Sequence, residues 1–403
     1  MPGLDEIRTA ATVIAPVARR TPVTTSRFLS DGTGARVTLK AEHLQRTGSF
    51  KIRGAYNRIA AMGAAERRRG VVAASAGNHA QGVALAARML EVPATVFMPA
   101  DASIAKVEAT RGYGAHVELT GASFDDAQTA AHEHVLETGA TFVSAFDDEL
   151  VIAGQGTLGL ELTEQVADAE VVVIPCGGGG LLAGSAIALK ALLPGVRVVG
   201  VQAVGCAPML ASRGRGSIQT AERAGTIADG IAVKRPGRLT FPLVQEHVDE
   251  LVSVTDEEIT AAIALLLERE KQLVEGAGAV GAAALMHGRV ADIEGRRVVV
   301  VLSGGNIDLP LIQSVIRRGL TVAGRYMVLR TRITDRPGSL LRLLGVLAAD
   351  RVNIIDVTHH REGVDIYVTE TEVELTVETR DAEHRRAVLD LLTANGYEAE
   401  RVR

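Results

Sequence analysis

The chain has 403 residues, of which 47% are hydrophobic and 23% are charged, and its formal net charge at pH 7 is −5. This composition is typical of a globular protein with room for a large core and more than one domain. The acidic balance argues against nucleic-acid and acidic-membrane partners, and the N-terminus lacks a signal-peptide pattern. The two cysteines stand beside apolar runs, so we expect reduced thiols and a cytoplasmic location.

The first segment with a clear pattern is residues 47–55, T-G-S-F-K-I-R-G-A. Apolar residues recur at helical spacing from Phe50 onward, which predicts a helix with Thr47 or Ser49 as its cap. Lys51 would then stand in the first turn, where unpaired backbone N–H groups disfavour its protonated form. That position suits a nucleophilic amine. A solvated surface lysine is the commoner alternative for this segment taken alone.

Short apolar runs alternate with helical segments up to about residue 320. The runs predicted as strands are residues 71–74, 94–98, 115–119, 170–174, 196–201 and 298–302. The first and the last three lack polar–apolar alternation, as expected for parallel strands covered on both faces. Helices are predicted at residues 78–90 and 181–193. The pattern indicates a layered α/β fold with open parallel sheets in two lobes, the smaller spanning about residues 45–145.

The second motif is S-A-G-N-H-A-Q-G, residues 75–82, directly after the first of these strands. A small-residue loop that opens a helix presents backbone N–H groups to an anion such as a substrate carboxylate. A simple strand-to-helix turn, capped by Ser75 or Asn78, fits the segment equally well. From the residues alone, His79 is interpreted as a structural histidine.

The third motif is C-G-G-G-G-L, residues 176–181. Four successive glycines cost backbone entropy, so bare backbone is needed there, and N–H groups before a helix form a nest for a phosphate. The rival is a nicotinamide-dinucleotide site, because Gly178-x-Gly180-x-x-Ala183 fits its glycine pattern. That site needs an acid at the end of the next strand, which here ends in Gln202. A lone phosphate therefore suits the sequence better.

The fourth motif is S-G-G-N, residues 303–306, after the strand at residues 298–302. It places the hydroxyl of Ser303 at the carboxyl end of a strand, where α/β sheets bind ligands. Ser-Gly-Gly is also an ordinary loop. Together the four motifs supply an amine, a carboxylate loop, a phosphate nest and a hydroxyl partner. Pyridoxal phosphate requires that combination.

The pattern changes around residues 317–325. Strands are predicted at residues 326–333, 353–358 and 364–379 and from residue 397 onward, with a turn at residues 361–363. Helices are predicted after the turn at residues 335–339 and at residues 381–393. This order, β-α-β-β-α-β, indicates a small, separate ferredoxin-like domain.

The segment E-x-x-Q-x-T-G-S-F-K-x-R-G-A at residues 42–55, with the other three motifs, resembles fold-type II pyridoxal-phosphate enzymes related to tryptophan synthase β. Within them it is most similar to the threonine dehydratase (threonine ammonia-lyase) family. D-R-P-G-S-L at residues 335–340 and N-I-I-D-V-T-H-H-R at residues 353–361 resemble an ACT regulatory domain. The resemblance implies a catalytic domain at residues 1–320 and an ACT domain at residues 326–403.

The resemblance also implies roles for individual residues. Lys51 would hold pyridoxal phosphate as a Schiff base, Asn78 would contact the ring hydroxyl and Ser303 the ring nitrogen. The full set implied for the cofactor is Phe50, Lys51, Asn78, Gly177, Gly178, Gly179, Gly180, Leu181 and Ser303. The set implied for the substrate carboxylate is Ser75, Ala76, Gly77 and His79. The set implied for the regulator is Gly338, Ser339 and Asn353.

The implied reaction is β-elimination from L-threonine, and also L-serine, which gives 2-oxobutanoate or pyruvate and ammonia. A serine facing the ring nitrogen cannot hold it protonated as an aspartate would, which favours elimination over transamination. Ala76 replaces the second serine of related racemases, so racemisation is expected to be slow. Gly225 replaces the acid of cation-binding relatives, so no metal is expected. Glu275 would line the active site or serve the structure.

The resemblance further implies an amino-acid effector such as isoleucine or valine, and a homotetramer. Isoleucine biosynthesis and threonine catabolism both fit. Three alternatives stay open: a serine-preferring dehydratase, a non-catalytic amino-acid sensor and an NAD-dependent dehydrogenase.

Overall fold

The computed structural model describes residues 1–322, 324–361, 367 and 369–402. The chain divides into two compact units, Met1–Asp308 and Leu309–Arg403. The first unit contains two sheets flanked by helices, and the second contains one sheet. None of the described helices combines the length and the apolar character needed to cross a membrane.

The strands of the first unit are β1 (Val23–Thr25), β2 (Arg36–Lys40), β3 (Val71–Ala74), β4 (Ala94–Met98), β5 (His116–Leu119), β6 (Thr141–Phe142), β7 (Val171–Pro175), β8 (Arg197–Ala203), β9 (Glu250–Val254) and β10 (Arg297–Val301). Its helices are α1 (Leu4–Ile14), α2 (Arg27–Thr33), α3 (Lys51–Ala60), α4 (Ala64–Arg69), α5 (Asn78–Met89), α6 (Ile104–Gly112), α7 (Phe124–Thr138), α8 (Glu149–Gln165), α9 (Gly180–Leu192), α10 (Pro208–Arg215), α11 (Thr240–His247), α12 (Asp256–Leu265) and α13 (Gly276–Met286).

The larger sheet has the order β1-β2-β10-β7-β8-β9. All its pairs are parallel except β1 with β2, whose register places Val23 opposite Lys40. Its central strands β7 and β10 are rich in valine and almost entirely buried. Continuous apolar strands of this kind need cover on both faces, which the flanking helices provide. The carboxyl ends of β7 and β10 therefore open side by side at one edge of the sheet.

The smaller sheet has the order β5-β4-β3-β6, and all its pairs are parallel. It lies between residues 71 and 142, within the range predicted for the smaller lobe. Helix α3 packs against both α5 and α8. Two glycines make the contact with α8 close, because a Cβ at Gly54 would lie 2.8 Å from the carbonyl oxygen of Val151 and a Cβ at Gly154 would lie 2.7 Å from that of Arg53.

The elements of the second unit are α14 (Leu309–Val322), β11 (Tyr326–Thr334), α15 (Ser339–Ala349), β12 (Ile354–His360), β13 (Glu370–Glu378), α16 (Ala382–Ala394) and β14 (Ala399–Arg401). From β11 onward the described elements follow the predicted order β-α-β-β-α-β. The sheet is antiparallel with the order β12-β13-β11-β14, and α15 and α16 cover its core, which includes Leu329, Leu343, Leu375 and Leu392. Most of the predicted turn at residues 361–363, and residues 364–366 and 368 of the predicted strand, lie outside the described residues.

Candidate active site

The helix predicted from Phe50 onward is present as α3, which begins at Lys51. The predicted cap is wrong, because the N-cap residue is Phe50 and no side chain caps the helix. Ser49 stands one residue too early and is held extended by a bridge to Gly304. Thr47 adopts a left-handed backbone with a φ of 64°. The hydroxyls of Thr47 and Ser49 are buried, and no described residue forms a hydrogen bond with either.

The amine of Lys51 lies in a desolvated environment beside the smaller lobe. Its Nζ donates a hydrogen bond to the carbonyl oxygen of Ala145 at 2.9 Å and lies 5.1 Å from the centre of the Phe50 ring. Burial lowers the pKa of Lys51 to about 8, although the nearby carboxyl of Glu275 opposes the shift. A substantial fraction of the amine is therefore neutral near physiological pH. Such an amine can act as a nucleophile or a base.

The tetraglycine loop joins β7 to the start of α9. Among the described residues, none accepts a hydrogen bond from the backbone N–H groups of residues 177–181. Gly179 has a φ of 100°, a conformation that L residues avoid. Gly178 lies under the Phe146 ring, since a Cβ at Gly178 would lie 2.4 Å from it. The loop thus offers backbone donors at a helix N-terminus, an arrangement that suits an anion.

Gly178→Ala tests how tightly this loop is packed. The added methyl would meet the ring of Phe146 at 2.4 Å, so the loop must shift. We expect the free energy of unfolding to fall by about 1–3 kcal/mol, and cofactor affinity to fall with it. Gly195→Ala is the matched control, because a Cβ there would meet nothing within 4 Å. Equal stability of the two variants in urea denaturation would contradict the prediction.

The S-A-G-N-H segment follows β3 and opens α5. Neither Ser75 nor Asn78 caps this helix with its side chain, because the N-cap residue is Gly77; the Ser75 hydroxyl accepts from the Gly77 N–H at 3.2 Å. In the described part of the chain, no acceptor pairs with the backbone N–H groups of residues 76, 78 and 79. A Cβ at Gly77 would meet nothing within 4 Å. This arrangement also suits an anion and has room in front of it.

The His79 side chain is engaged away from this loop. Its Nε2 lies 2.8 Å from the carbonyl oxygen of Val143. Burial, reinforced by the charge of Lys51, lowers the pKa of His79 to about 3, so the ring stays neutral. The ring therefore serves the structure, and a carboxylate would meet the backbone N–H of His79 rather than its ring.

The S-G-G-N loop meets the lysine segment and the second motif at one place. The carbonyl oxygen of Ser303, a buried residue just after β10, accepts from the Phe50 N–H at 3.2 Å. Asn78 donates from Nδ2 to Glu275 Oε1 at 2.6 Å and accepts at Oδ1 from Asn306 at 2.7 Å. Three motifs, far apart in the sequence, thus lie together, and the tetraglycine loop is linked to them through Phe146, which directly follows the Ala145 partner of Lys51. The sequence left open whether Glu275 lines the active site or serves the structure; its contact with Asn78 places it beside the second motif.

A buried ion cluster supports the helix that carries Lys51. The guanidinium of Arg53 binds both oxygens of Glu42, at 2.8 and 2.9 Å, and its Nη1 donates to Glu161 at 2.7 Å. Lys40, also buried, donates to the other oxygen of Glu161 at 2.6 Å. Arg53, Glu42 and Lys40 are each 0% exposed. The cluster ties α3 to α8 and to the end of β2, which fixes the position of Lys51.

Three predicted residues lie in the second unit. Gly338 is the N-cap residue of α15, with a φ of 86°. Ser339 shares a hydrogen bond with Thr334 and accepts another from Arg342. Asn353 donates to Glu378 at 2.9 Å. Their predicted role in binding a regulator stays a prediction.

Glu275 gives the stability of the fold a pH dependence. Burial, and then the charge of Asp229, raises the pKa of Glu275 from 4.5 to about 7, against the opposing effects of Asn78 and Lys106. The folded state therefore holds this proton more tightly. The contribution to stability is complete below pH 4.5 and is lost as the pH rises through 7, by about 3 kcal/mol at most.

Glu275→Gln should remove this component. Urea denaturation of the cofactor-free protein at pH 5 and pH 8 should show a smaller difference in the variant than in the wild type, because the amide does not titrate. Glu222→Gln, at an exposed position, is the control. A pH difference that is unchanged in Glu275→Gln would contradict the prediction.

Comparison with known proteins identifies the class to which this site belongs. Residues 14–304 match the family described as pyridoxal-phosphate dependent enzyme, and the chain belongs to that family. The fold-type II architecture and the cofactor predicted from the sequence are thereby confirmed. The residues present fit this cofactor, because they include a desolvated amine and two sets of backbone N–H groups for which the described residues supply no acceptor.

Individual members of the family are similar to this chain over most of its length. The L-threonine ammonia-lyase of Thermotoga maritima is 49% identical over 395 residues, or 98% of each chain. The L-threonine ammonia-lyase of Geobacter sulfurreducens is 48% identical over 379 residues, or 94% of each chain. The processed form of threonine deaminase isoform 2 from Solanum lycopersicum is 38% identical with a TM-score of 0.74, covering 78% of this chain and 93% of that chain. The structure of maize serine racemase is 36% identical with a TM-score of 0.75, covering 79% of this chain and 98% of that chain.

Proposed function

We propose that the protein is a threonine ammonia-lyase, which converts L-threonine to 2-oxobutanoate and ammonia, and L-serine to pyruvate and ammonia. The observation that carries the proposal is the Lys51 amine, held in a desolvated site with its pKa lowered to about 8. Relatives named L-threonine ammonia-lyase match nearly the whole chain. They support the choice of substrate.

Each motif has a place in this reaction. Pyridoxal phosphate, when bound, supplies a ring that withdraws electrons from the substrate α-carbon. Lys51 would hold the cofactor and would take the substrate α-proton on Nζ. The N–H groups of residues 76, 78 and 79 would bind the substrate carboxylate, and those of residues 177–181 would bind the cofactor phosphate. Asn78 would donate to the ring hydroxyl, and Ser303 would face the ring nitrogen.

The neutral partner at the ring nitrogen favours elimination. A serine hydroxyl does not hold that nitrogen protonated, so negative charge at the α-carbon is less stabilised, and loss of the β-hydroxyl competes better with transamination. Ala76 offers no hydroxyl that could return a proton to the opposite face of the substrate. We therefore assign dehydration, with little racemisation, to this site.

The test is ammonia release from L-threonine by the purified holoenzyme. Measurable release of ammonia with equimolar 2-oxobutanoate supports the proposal, and none would exclude it. The ratio of kcat/KM for threonine and serine separates this enzyme from a serine-preferring dehydratase. One methyl group in a pocket is worth about 10–200-fold, so we expect threonine to be preferred within that range.

Residues 326–403, which form the second unit from β11 onward, are proposed to be an ACT domain that binds a regulatory amino acid; α14 precedes them in the same unit. The antiparallel sheet with two helices supports this assignment, as do the turn at Gly338 and the polar side chains of Ser339 and Asn353. We assign catalysis to residues 1–320 and regulation to residues 326–403. Threonine deamination measured with and without isoleucine and valine tests the assignment. No response to either, or to other amino acids, would contradict it.

A homotetramer in the cytoplasm completes the proposal. Regulatory domains of this kind bind effectors between copies, so an effector response requires an oligomer. Light scattering of the purified holoenzyme should give four times the 42.3 kDa mass of the chain. A monomeric holoenzyme would contradict it.

A further inference from the structure

Glu275 is a buried carboxyl group for which the fold makes room. The residue is 4% exposed and immediately precedes α13. A Cβ at Gly304 would lie 2.3 Å from its Oε1, and one at Gly230 would lie 3.3 Å from it. Two neighbouring positions therefore lack a side chain where the carboxyl group lies.

Ordinary structural roles do not account for this acid. Although Glu275 is the N-cap residue of α13, its side chain makes no capping hydrogen bond. Within the described ranges, it forms no ion pair of 4 Å or less with a basic side chain. Its side-chain partner is instead the amide of Asn78, at 2.6 Å, and the backbone N–H of Asn306 also stabilises its charged form. A buried carboxyl group is costly, and its raised pKa reflects that cost.

The orientation of the Asn78 amide follows from a chain of hydrogen bonds. The carbonyl oxygen of Thr47 can only accept, so its partner at 2.7 Å must be the NH2 group of Asn306. That NH2 group gives its second hydrogen to Asn78, at 2.7 Å, whose near atom must therefore be Oδ1. The NH2 end of Asn78 then faces Glu275. The carbonyl oxygen of Thr47, just before the Lys51 helix, thus fixes the orientation of the Asn306 amide, which in turn fixes that of the Asn78 amide.

One hydrogen of the Asn78 NH2 group remains. The Nδ2 atom carries two hydrogens, and Glu275 accepts one of them. The planar amide directs the other at a fixed angle from the first. Because Asn306 holds one end of the amide and Glu275 the other, the group cannot rotate without breaking a hydrogen bond.

We propose that Glu275 is a positioning residue, which accepts one hydrogen of the Asn78 amide and thereby holds the other toward the ring hydroxyl of the bound cofactor. This inference rests on the proposed contact between Asn78 and the ring. Glu275 acts through Asn78 and touches neither the substrate nor the reacting atoms. Its effect should therefore disappear when the Asn78 side chain is absent.

A double-mutant cycle tests this dependence. The four proteins are the wild type, Glu275→Leu, Asn78→Ala and the double variant. Two quantities are measured for each: the Kd of pyridoxal phosphate, by titration of the cofactor-free protein, and the visible absorbance of the lysine-bound cofactor. We expect Glu275→Leu to raise Kd about two- to tenfold and to alter the absorbance in the wild-type background. In the Asn78→Ala background it should change neither.

Glu275→Gln separates positioning from loss of folding. Its side-chain carbonyl can still accept from Asn78, so we expect a Kd and an absorbance close to those of the wild type. Equal effects of Glu275→Leu with and without the Asn78 side chain would overturn the inference, as would no effect in either. If Glu275→Leu does not fold, a spectrum of Glu275→Gln as altered as that of Asn78→Ala would also overturn it.

Failure of the proposed function would look different. If the Lys51→Ala variant keeps the visible absorbance of the lysine-bound cofactor, the lysine-based enzyme itself is excluded. The same conclusion follows if the wild-type protein releases no ammonia from threonine. If the wild type shows both properties and the cycle is additive, only the role of Glu275 is wrong.

Discussion

Lys51→Ala should abolish the visible absorbance of the lysine-bound cofactor and reduce kcat for threonine by at least about 10²–10⁴-fold. The variant loses the only group in this site assigned both to hold the cofactor covalently and to move the α-proton, and a positioned base alone contributes about that factor. Absorbance of the purified protein with added pyridoxal phosphate, and ammonia release from threonine, are the two measurements.

The same variant should remain folded. The Lys51 amine is partly buried, and among the described residues its hydrogen-bond acceptor is Ala145, so its removal relieves a partly desolvated charge and costs mainly the packing of its methylene groups. Thermal unfolding of the cofactor-free protein should therefore differ little from that of the wild type. A folded Lys51→Ala protein with wild-type absorbance and turnover would refute the role assigned to the amine.

Much of the first unit could be predicted because its central strands are apolar on both faces. All six predicted strands are present as β3, β4, β5, β7, β8 and β10, each within two residues of the predicted bounds. Four other strands were missed. The strands β1 and β6 have three and two residues, too few for a pattern, and β9 is an edge strand. The strand β2 was missed because its charged residues do not look like a buried strand. The charge of the buried Lys40 is paired with Glu161 from the distant helix α8, a contact that the local sequence does not show.

The four motifs of the site could be predicted for a related reason. Each is a contiguous loop at the end of a strand or the start of a helix, so a short stretch of sequence is enough to indicate its chemistry. The partners of these loops are not local. Phe146 over the glycine loop and Ala145 at the lysine amine come from distant segments that no short pattern marks, and the sequence indicated Glu275 but not its contact with Asn78. The cap of α3 failed for this reason too, because the pairing of Ser49 with Gly304 overrides the local preference.

The ion cluster under α3 provides the second large prediction. Arg53→Met should lower the free energy of unfolding by about 3–5 kcal/mol, because it leaves the carboxylates of Glu42 and Glu161 without their shared cation. The charge of the Glu42 carboxylate is the one most destabilised by the loss of Arg53. Burial disfavours its charged form, and the guanidinium of Arg53 reverses that effect and holds the pKa of Glu42 below its ordinary value. Urea denaturation of the cofactor-free protein is the measurement.

Arg58→Met is the matched control on the same helix. Arg58 pairs with Asp148 at 3.0 Å, but the two side chains are 19% and 24% exposed, so water screens the pair. Its loss should cost about 1 kcal/mol or less. The double variant Arg53→Met/Glu42→Gln should be more stable than Arg53→Met alone, because the second change removes an unpaired buried charge. Similar losses for Arg53→Met and Arg58→Met would show that the cluster does not hold the lysine helix in place.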